Sequence, residues 1–386
     1  MEMPIDAQLA LNLLAELVAI ESVNSTLVPG ACGEERAAEH VQKFLRAHGI
    51  AAAVEEAAPG RPNVVATIGP QNVKPALMLV AHIDTVGAGD MPDPFTPRIR
   101  DGKMYGRGAL DIKSGVAAMC AAAAAIANEG ARLARPFTVA AVVDEECNSI
   151  GTQALLRAGH TADGAIVLEP TDLQLVVAHK GYAWFEIVTR GRAAHGSLPS
   201  EGRDAIRMMG RVLEALDEME KKLTAHPPHP RLGKASVHAS LISGGQELSS
   251  YPAECRLQLE RRMLPGETEA TAEAELRAML AQLEKQDAQF AATLRAGLGS
   301  RPAYEIAEDS PVVERARAAS HRACGACELS SMAAWTDTAL LAAAGIPGIV
   351  FGPAGRGLHA ADEYVEIDSV GKCASALREI ILEFCS

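Results

Sequence analysis

The sequence predicts an open α/β fold interrupted by an inserted α+β module. Three observations predict it. β-type runs alternate with helical ones, and polar residues stand at the ends of several of those runs. Near Gly181 the alternation gives way to a βαββαβ order, and it resumes near Arg301.

The first apolar positions, including Leu9, Leu13, Leu14, Leu17 and Val18, follow a helical period, and residues 33–48 read as a second amphipathic helix. Strand-like segments follow at 63–68 and 76–81, then a loop rich in Gly, Pro and Asp. Asp111 precedes a helical stretch over 112–128, which Gly130 ends as a C′ residue. Residues 137–143 read as a strand ending at Asp144-Glu145-Glu146, and 165–168 as another ending at Glu169. Open α/β sheets place their sites beyond the carboxyl ends of the strands, so these ends are where chemistry is expected. The second region reads as strand 182–189, helix 203–222, strands 236–242 and 256–262, helix 267–285 and strand 290–295. That order suggests a compact two-layer module of ordinary domain size. A late strand lies over 346–351. The chain thus divides into a catalytic domain of residues 1–179 and 299–386 and an insertion of residues 180–298.

Hydrophobic residues make up 48% of the 386 positions but aromatics only 4%, so alanine-rich helix packing replaces bulky fill. A net charge of -13 argues against nucleic acid as a partner. The amino terminus lacks a basic, cleavable leader pattern, and the alanine run 116–127 is too short to span a bilayer core of about 30 Å. No membrane association and a cytoplasmic location are therefore expected. Eight cysteines in a chain of this length do not form a disulfide framework, and Cys324-Gly325-Ala326-Cys327 has no second pair, so ordinary reduced thiols are expected.

His82 and Asp84 stand two apart at a strand end, so in extended chain both point to one face. Asp84 would then accept the ring N–H of His82 and fix the tautomer that binds metal; a loop histidine beside a solvated aspartate is an equal alternative. Glu145 and Glu146 are adjacent and their side chains diverge. One can ligate an ion while the other exchanges a proton with water and the leaving amine, although such a pair taken alone is more often solvated. Asp111 alone equally suits a helix cap, Glu169 before Pro170 a strand end, and His359 a surface loop. Together the five stretches describe a two-metal hydrolytic site with its own base. Two divalent ions and a bridging hydroxide come close to balancing Asp111, Glu146 and Glu169, with neutral His82 and His359 completing the set. Residue types and spacing do not assign which carboxylate does what.

The motifs Ala81-His82-Ile83-Asp84-Thr85-Val86, Gly106-Arg107-Gly108 through Asp111-Ile112-Lys113-Ser114-Gly115, and Asp144-Glu145-Glu146 continue with Glu169-Pro170 and Gly191-Arg192-Ala193-Ala194-His195. They end in Leu264-Pro265-Gly266-Glu267 and in His359 with Asp362-Glu363-Tyr364. In this order and spacing the chain resembles the M20 family of metallopeptidases and deacylases, which includes acetylornithine deacetylase, succinyl-diaminopimelate desuccinylase and glutamate carboxypeptidase. The resemblance implies a zinc-exopeptidase-like catalytic domain with a mixed sheet and flanking helices. It also implies an inserted ferredoxin-like lid that pairs two subunits into a homodimer by edge-strand addition.

By the same resemblance, Asp111 bridges two zinc ions, with cobalt or manganese as possible replacements. His82 and Glu169 complete one site, and Glu146 and His359 the other. Glu145 is the general base and acid, Asp84 orients His82, and the Asp111–Ile112 bond is cis. His195 crosses the dimer to hold the oxyanion, and Arg262 grips a substrate carboxylate. Thr336, Asp337 and Gly352 line the substrate pocket. Ser249 stands where relatives carry asparagine, and Glu260 where they carry aspartate. The implied substrate is a small molecule with an amide beside a free carboxylate, and the implied activity is N-acyl-amino-acid deacylation of the acetylornithine deacetylase kind. The main alternative is an exopeptidase. A non-catalytic binder of amino-acid derivatives is disfavoured, because all five ligands and Glu145 are present.

Overall fold

In the computed structural model, which describes residues 5–325 and 327–386, the chain divides into two units. One comprises the chain up to Val177 with Ile306–Ser330 and Thr336–Ser386, and the other Ala178–Glu305 with Ser331–Trp335.

The first unit is built on a mixed sheet. Six strands of this nine-stranded sheet run in the spatial order Ala53–Ala58, Arg61–Ile68, Phe137–Val142, Leu77–His82, Gly164–Val167 and Gly348–Val350. The last four are mutually parallel and buried throughout, as apolar runs covered on both faces must be. One face carries the Lys113–Glu129 helix, which packs between the Ile5–Val18 and Ile367–Cys385 helices. Its buried stretch of consecutive alanines lets those neighbours approach on every side, and Gly130 ends it at φ 63°. On the other face Leu155 and Leu341, from two short helices, pack on Met78, Val80, Ala140 and Val167.

The register sets the site. His82 pairs with Val142, Val80 with Val167, and Val350 with Val167. Two residues beyond these last pairs, His82, Glu169 and Gly352 lie level with one another, with Asp144 just past Val142, all at carboxyl ends of parallel strands. A small antiparallel sheet in the order Gly355–Arg356, Tyr364–Glu366, Lys103–Tyr105 and Arg98–Arg100 ties the 106–111 loop to the 357–363 loop.

The second unit is an antiparallel sheet in the order Ser236–Gly244, Glu254–Met263, Gly181–Arg190 and Ala292–Arg295. The helices Ala205–Ala225 and Glu269–Gln286 pack on it over a core that includes Phe185, Ile187, Met209, Leu257 and Leu276. Strand order and connectivity are ferredoxin-like. The unit extends to Glu305 because Ser300 and Arg301 pair with Ala183 and Tyr182. It takes in Trp335, whose Nε1 donates to the Pro302 carbonyl at 3.1 Å. All eight cysteines are free thiols. Among the described residues no helix is long and apolar enough to cross a membrane.

Candidate metal centre

His82, Asp111, Glu145, Glu146, Glu169 and His359 all belong to the first unit and converge beyond the strand ends. His82 Nε2 lies 3.2 Å from Asp111 Oδ1 and 3.7 Å from Glu169 Oε1. His359 Nε2 lies 3.3 Å from Asp111 Oδ2 and 3.2 Å from Glu146 Oε2. Asp111 therefore turns one oxygen toward each imidazole. The ligand atoms of His82, Glu145 and Glu169 lie within 4.8 Å of one another, as do those of His82, Asp111 and Glu146.

This donor set fits divalent cations. The separations exceed the roughly 2.7–2.9 Å of a charge-assisted hydrogen bond. They resemble the roughly 3.3 Å between two ligands at tetrahedral zinc bond lengths. Glu146 Oε1 is buried with no hydrogen-bond partner, and such an atom needs a counter-charge.

The backbone frames these groups. His82 Nδ1 lies 3.0 Å from the Asp84 carbonyl and 3.5 Å from its carboxylate, so the nearer acceptor is the main chain rather than the side chain expected from spacing. The Asp84 carboxylate instead accepts the backbone N–H groups of Glu145 and Glu146, each at 3.2 Å. Glu363, quoted above only as part of a motif, accepts the backbone N–H groups of Gly108, Leu110 and Asp111 at 3.0, 2.8 and 3.1 Å. Arg107 bonds Glu363 at 2.7 Å and the His359 carbonyl at 3.3 Å. One buried ion pair thus fixes the loop carrying Asp111 and the residue His359, whose backbone is left-handed at φ 61°. The Asp111–Ile112 bond is cis.

Gly352 approaches the backbone of Glu169 closely. A Cβ there would stand 2.2 Å from the Glu169 carbonyl oxygen. Gly352→Ala is expected to destabilise the protein by about 1–3 kcal/mol and to weaken metal binding by displacing Glu169. Calorimetric unfolding and a zinc titration would check this; a variant matching the parent in both would refute it. Thr336 and Asp337 are both buried. The Thr336 hydroxyl is bonded to that of Thr338 at 2.9 Å, and Asp337 accepts from Thr152. Burial pushes the Asp337 carboxyl up to about 6.

Burial, then Glu169, pushes Glu145 well above the ordinary carboxyl value of 4.5. Glu169 is pushed well above it by burial, with Asp111 and Glu146 adding to the rise. Glu146 is raised by burial and Asp111. Burial lowers His82, but Glu169, Asp111 and Asp84 outweigh it and lift the imidazole well above 6.5. Asp111 and Glu146 lift His359 to about 10. Each of these groups holds its proton more tightly in the folded protein than in the unfolded chain. Their stabilising contribution is complete below the ordinary values and is lost as pH rises through the folded ones. Metal-free protein is therefore expected to melt at steadily lower temperature from about pH 5 to pH 9. Metal affinity rises over the same window because ligands bind deprotonated. The Tm gap between zinc-loaded and chelator-treated protein should widen with pH; a constant gap would separate these groups from the metal.

In the second unit, His195 is exposed, with Nδ1 2.7 Å from Ser197 Oγ. Gly196 N–H donates to the Ser249 carbonyl at 2.7 Å, so the His195 and Ser249 loops are joined through the backbone. Arg262 is held by Glu260 at 2.6 Å and lies 5.4 Å from the Tyr182 ring centroid.

Fold and donor set are those expected of a metal-dependent hydrolase. Residues 78–383 match peptidase family M20/M25/M40. The chain is 30% identical over 362 residues to an acetylornithine deacetylase from Myxococcus xanthus, covering 90% of this chain and 91% of that protein. The chain belongs to peptidase family M20/M25/M40, hydrolases of amide bonds. A tripeptidase from Staphylococcus aureus shares its fold with a TM-score of 0.81 at 23% identity, over 98% of this chain and 99% of that one. A dinuclear metal-binding peptidase of the M20 family from Bacillus subtilis does so with a TM-score of 0.74 at 16% identity, over 98% of each chain.

Proposed function

We propose that this protein is a two-metal amidohydrolase, with zinc as the first candidate ion, that releases the amine from an N-acyl amino acid. The convergence of two imidazoles and four buried or half-buried carboxylates on one point carries the reading. The acyl-amino-acid substrate is supported by the name of the Myxococcus relative.

His82 and Glu169 would hold one ion, Glu146 and His359 the other, and Asp111 both. When bound, such ions polarise the amide carbonyl and acidify water at the centre. Glu145 takes the proton of the attacking water and returns it to the departing nitrogen, a role suited to a carboxyl pushed above its ordinary value. Glu363 and Asp84 hold the loops from which these side chains project. The family resemblance assigns the oxyanion to the partner subunit's His195, the substrate carboxylate to Arg262, and pocket-lining roles to Ser249, Thr336, Asp337 and Gly352.

The homodimer and a cytoplasmic location belong to the same reading. Ser236–Gly244 is an edge strand with Leu241 and Ile242 65% and 57% exposed, an unpaired apolar edge of the kind that adds a second copy. Ile242→Lys is expected to yield monomers by light scattering; an unchanged dimer would place the interface elsewhere.

Amine release from a panel of N-acyl amino acids and dipeptides by zinc-reconstituted protein tests the substrate. Release from acylated amino acids alone supports the reading, release from dipeptides makes the protein an exopeptidase, and silence with metal bound refutes both.

A further inference from the structure

Behind the metal centre lies a buried polar group that contributes no ligand. Asn24 Nδ2 donates to Asp84 Oδ2 at 2.8 Å and to Asp144 Oδ1 at 3.0 Å. Its Oδ1 accepts the backbone N–H groups of Thr26 and Leu27 at 2.9 and 3.3 Å. These acceptances fix which end of the amide is which, so both N–H bonds must face the two carboxylates. Its own backbone N–H donates to the Thr85 carbonyl at 2.9 Å, next to Asp84. Arg61 reaches the same oxygen of Asp144 at 2.9 Å while clamping Glu34, with Nε 2.6 Å from Glu34 Oε2. Asn24, Glu34, Asp84 and Asp144 are all fully buried.

Glu34 and Asp144 share the Arg61 guanidinium, while the cation nearest Asp84 is the His82 imidazole, 3.5 Å away. Uncompensated, Asp84 and Asp144 would repel each other in a medium that screens weakly. The neutral amide of Asn24 supplies a donor to each and so lets them lie side by side. Their position matters because Asp84 accepts the N–H groups of Glu145 and Glu146. Asp144 begins that turn in the left-handed region at φ 69°, and its carbonyl accepts from Asn148 and Ser149.

We propose that Asn24 is a positioning residue for Glu145 and Glu146, acting by joining Asp84 to Asp144, with the Glu34–Arg61 pair as its ionic anchor. This rests on the reading of Glu146 as a ligand and Glu145 as the base. Asn24→Asp keeps the shape but sets a third acceptor against two carboxylates. At saturating zinc it is expected to lower kcat about 10–100-fold and to weaken zinc affinity by a similar factor, the range found when groups supporting metal ligands are lost. KM should stay unchanged, since the residue touches no substrate. Asn24→Ser, which retains one donor, should show the same pattern more weakly.

The measurements are zinc affinity by competition with a chromophoric chelator, kcat and KM on the full chain, and circular dichroism of each metal-free variant. Wild-type kcat and zinc affinity in folded Asn24→Asp overturn the proposal. If that variant does not fold, wild-type values in Asn24→Ser overturn it. Zinc affinity separates the two readings. Weakened binding in the variants, with no turnover of any substrate by the parent, refutes the substrate assignment and supports the positioning role.

Discussion

Glu145→Gln is expected to bind as much metal as the parent and to lose about 10²–10⁴-fold in kcat. The first half of that result is not trivial, because Glu145 lies within ligand reach of His82 and Glu169. Geometry alone would let it serve as a ligand, and metal content decides. Glutamine fills the same volume and keeps an oxygen, but it cannot take a proton from water. KM should change little if the carboxylate works chiefly in the transition state. Metal per chain by mass spectrometry, read beside steady-state kinetics, distinguishes the cases. Loss of one ion would make Glu145 a ligand, and activity within tenfold of the parent would move the base elsewhere, with Asp337 the next buried carboxyl to test.

Much of this arrangement was legible in the sequence because it depends on local pattern. Strand ends at His82, Glu145 and Glu169 followed from apolar runs that stop at polar residues, and the βαββαβ order of the second unit followed from period changes. The missed elements have physical reasons. Ala53–Ala58 contains two glutamates and three alanines and carries no alternation, yet it pairs with Arg61–Ile68. Lys103–Tyr105 and Tyr364–Glu366 are only three residues each, and pairing rather than propensity makes them strands.

The site's support was the least legible part. Asn24 meets Asp144 across 120 residues, and Arg107 meets Glu363 across 256. No local spacing encodes such pairs. Asp84 shows the intermediate case. Its place beside His82 was readable, but its carboxylate is spent on the Glu145–Glu146 backbone and on Asn24, which only the fold reveals.

Asp111→Asn tests the centre at its middle. Asp111 turns one oxygen to each imidazole, with Oδ1 3.2 Å from His82 and Oδ2 3.3 Å from His359. Its carboxyl is held far below the ordinary range: burial opposes this, but His359 and His82 outweigh it. An amide there offers one oxygen and turns an N–H₂ group toward the other histidine, so it can satisfy one ion at most. The variant is expected to retain less than one ion per chain after dialysis. Its kcat should fall by at least about 10³-fold even with zinc in excess, since the ions supply several kcal/mol of transition-state stabilisation. His359→Ala is the discriminating companion. It removes a ligand from one side and leaves His82, Asp111 and Glu169 in place, so one ion should remain tightly bound while the second becomes exchangeable. Two retained ions in Asp111→Asn would show that the carboxylate does not bridge. Equal metal loss in both variants would show that the two halves fill as a unit.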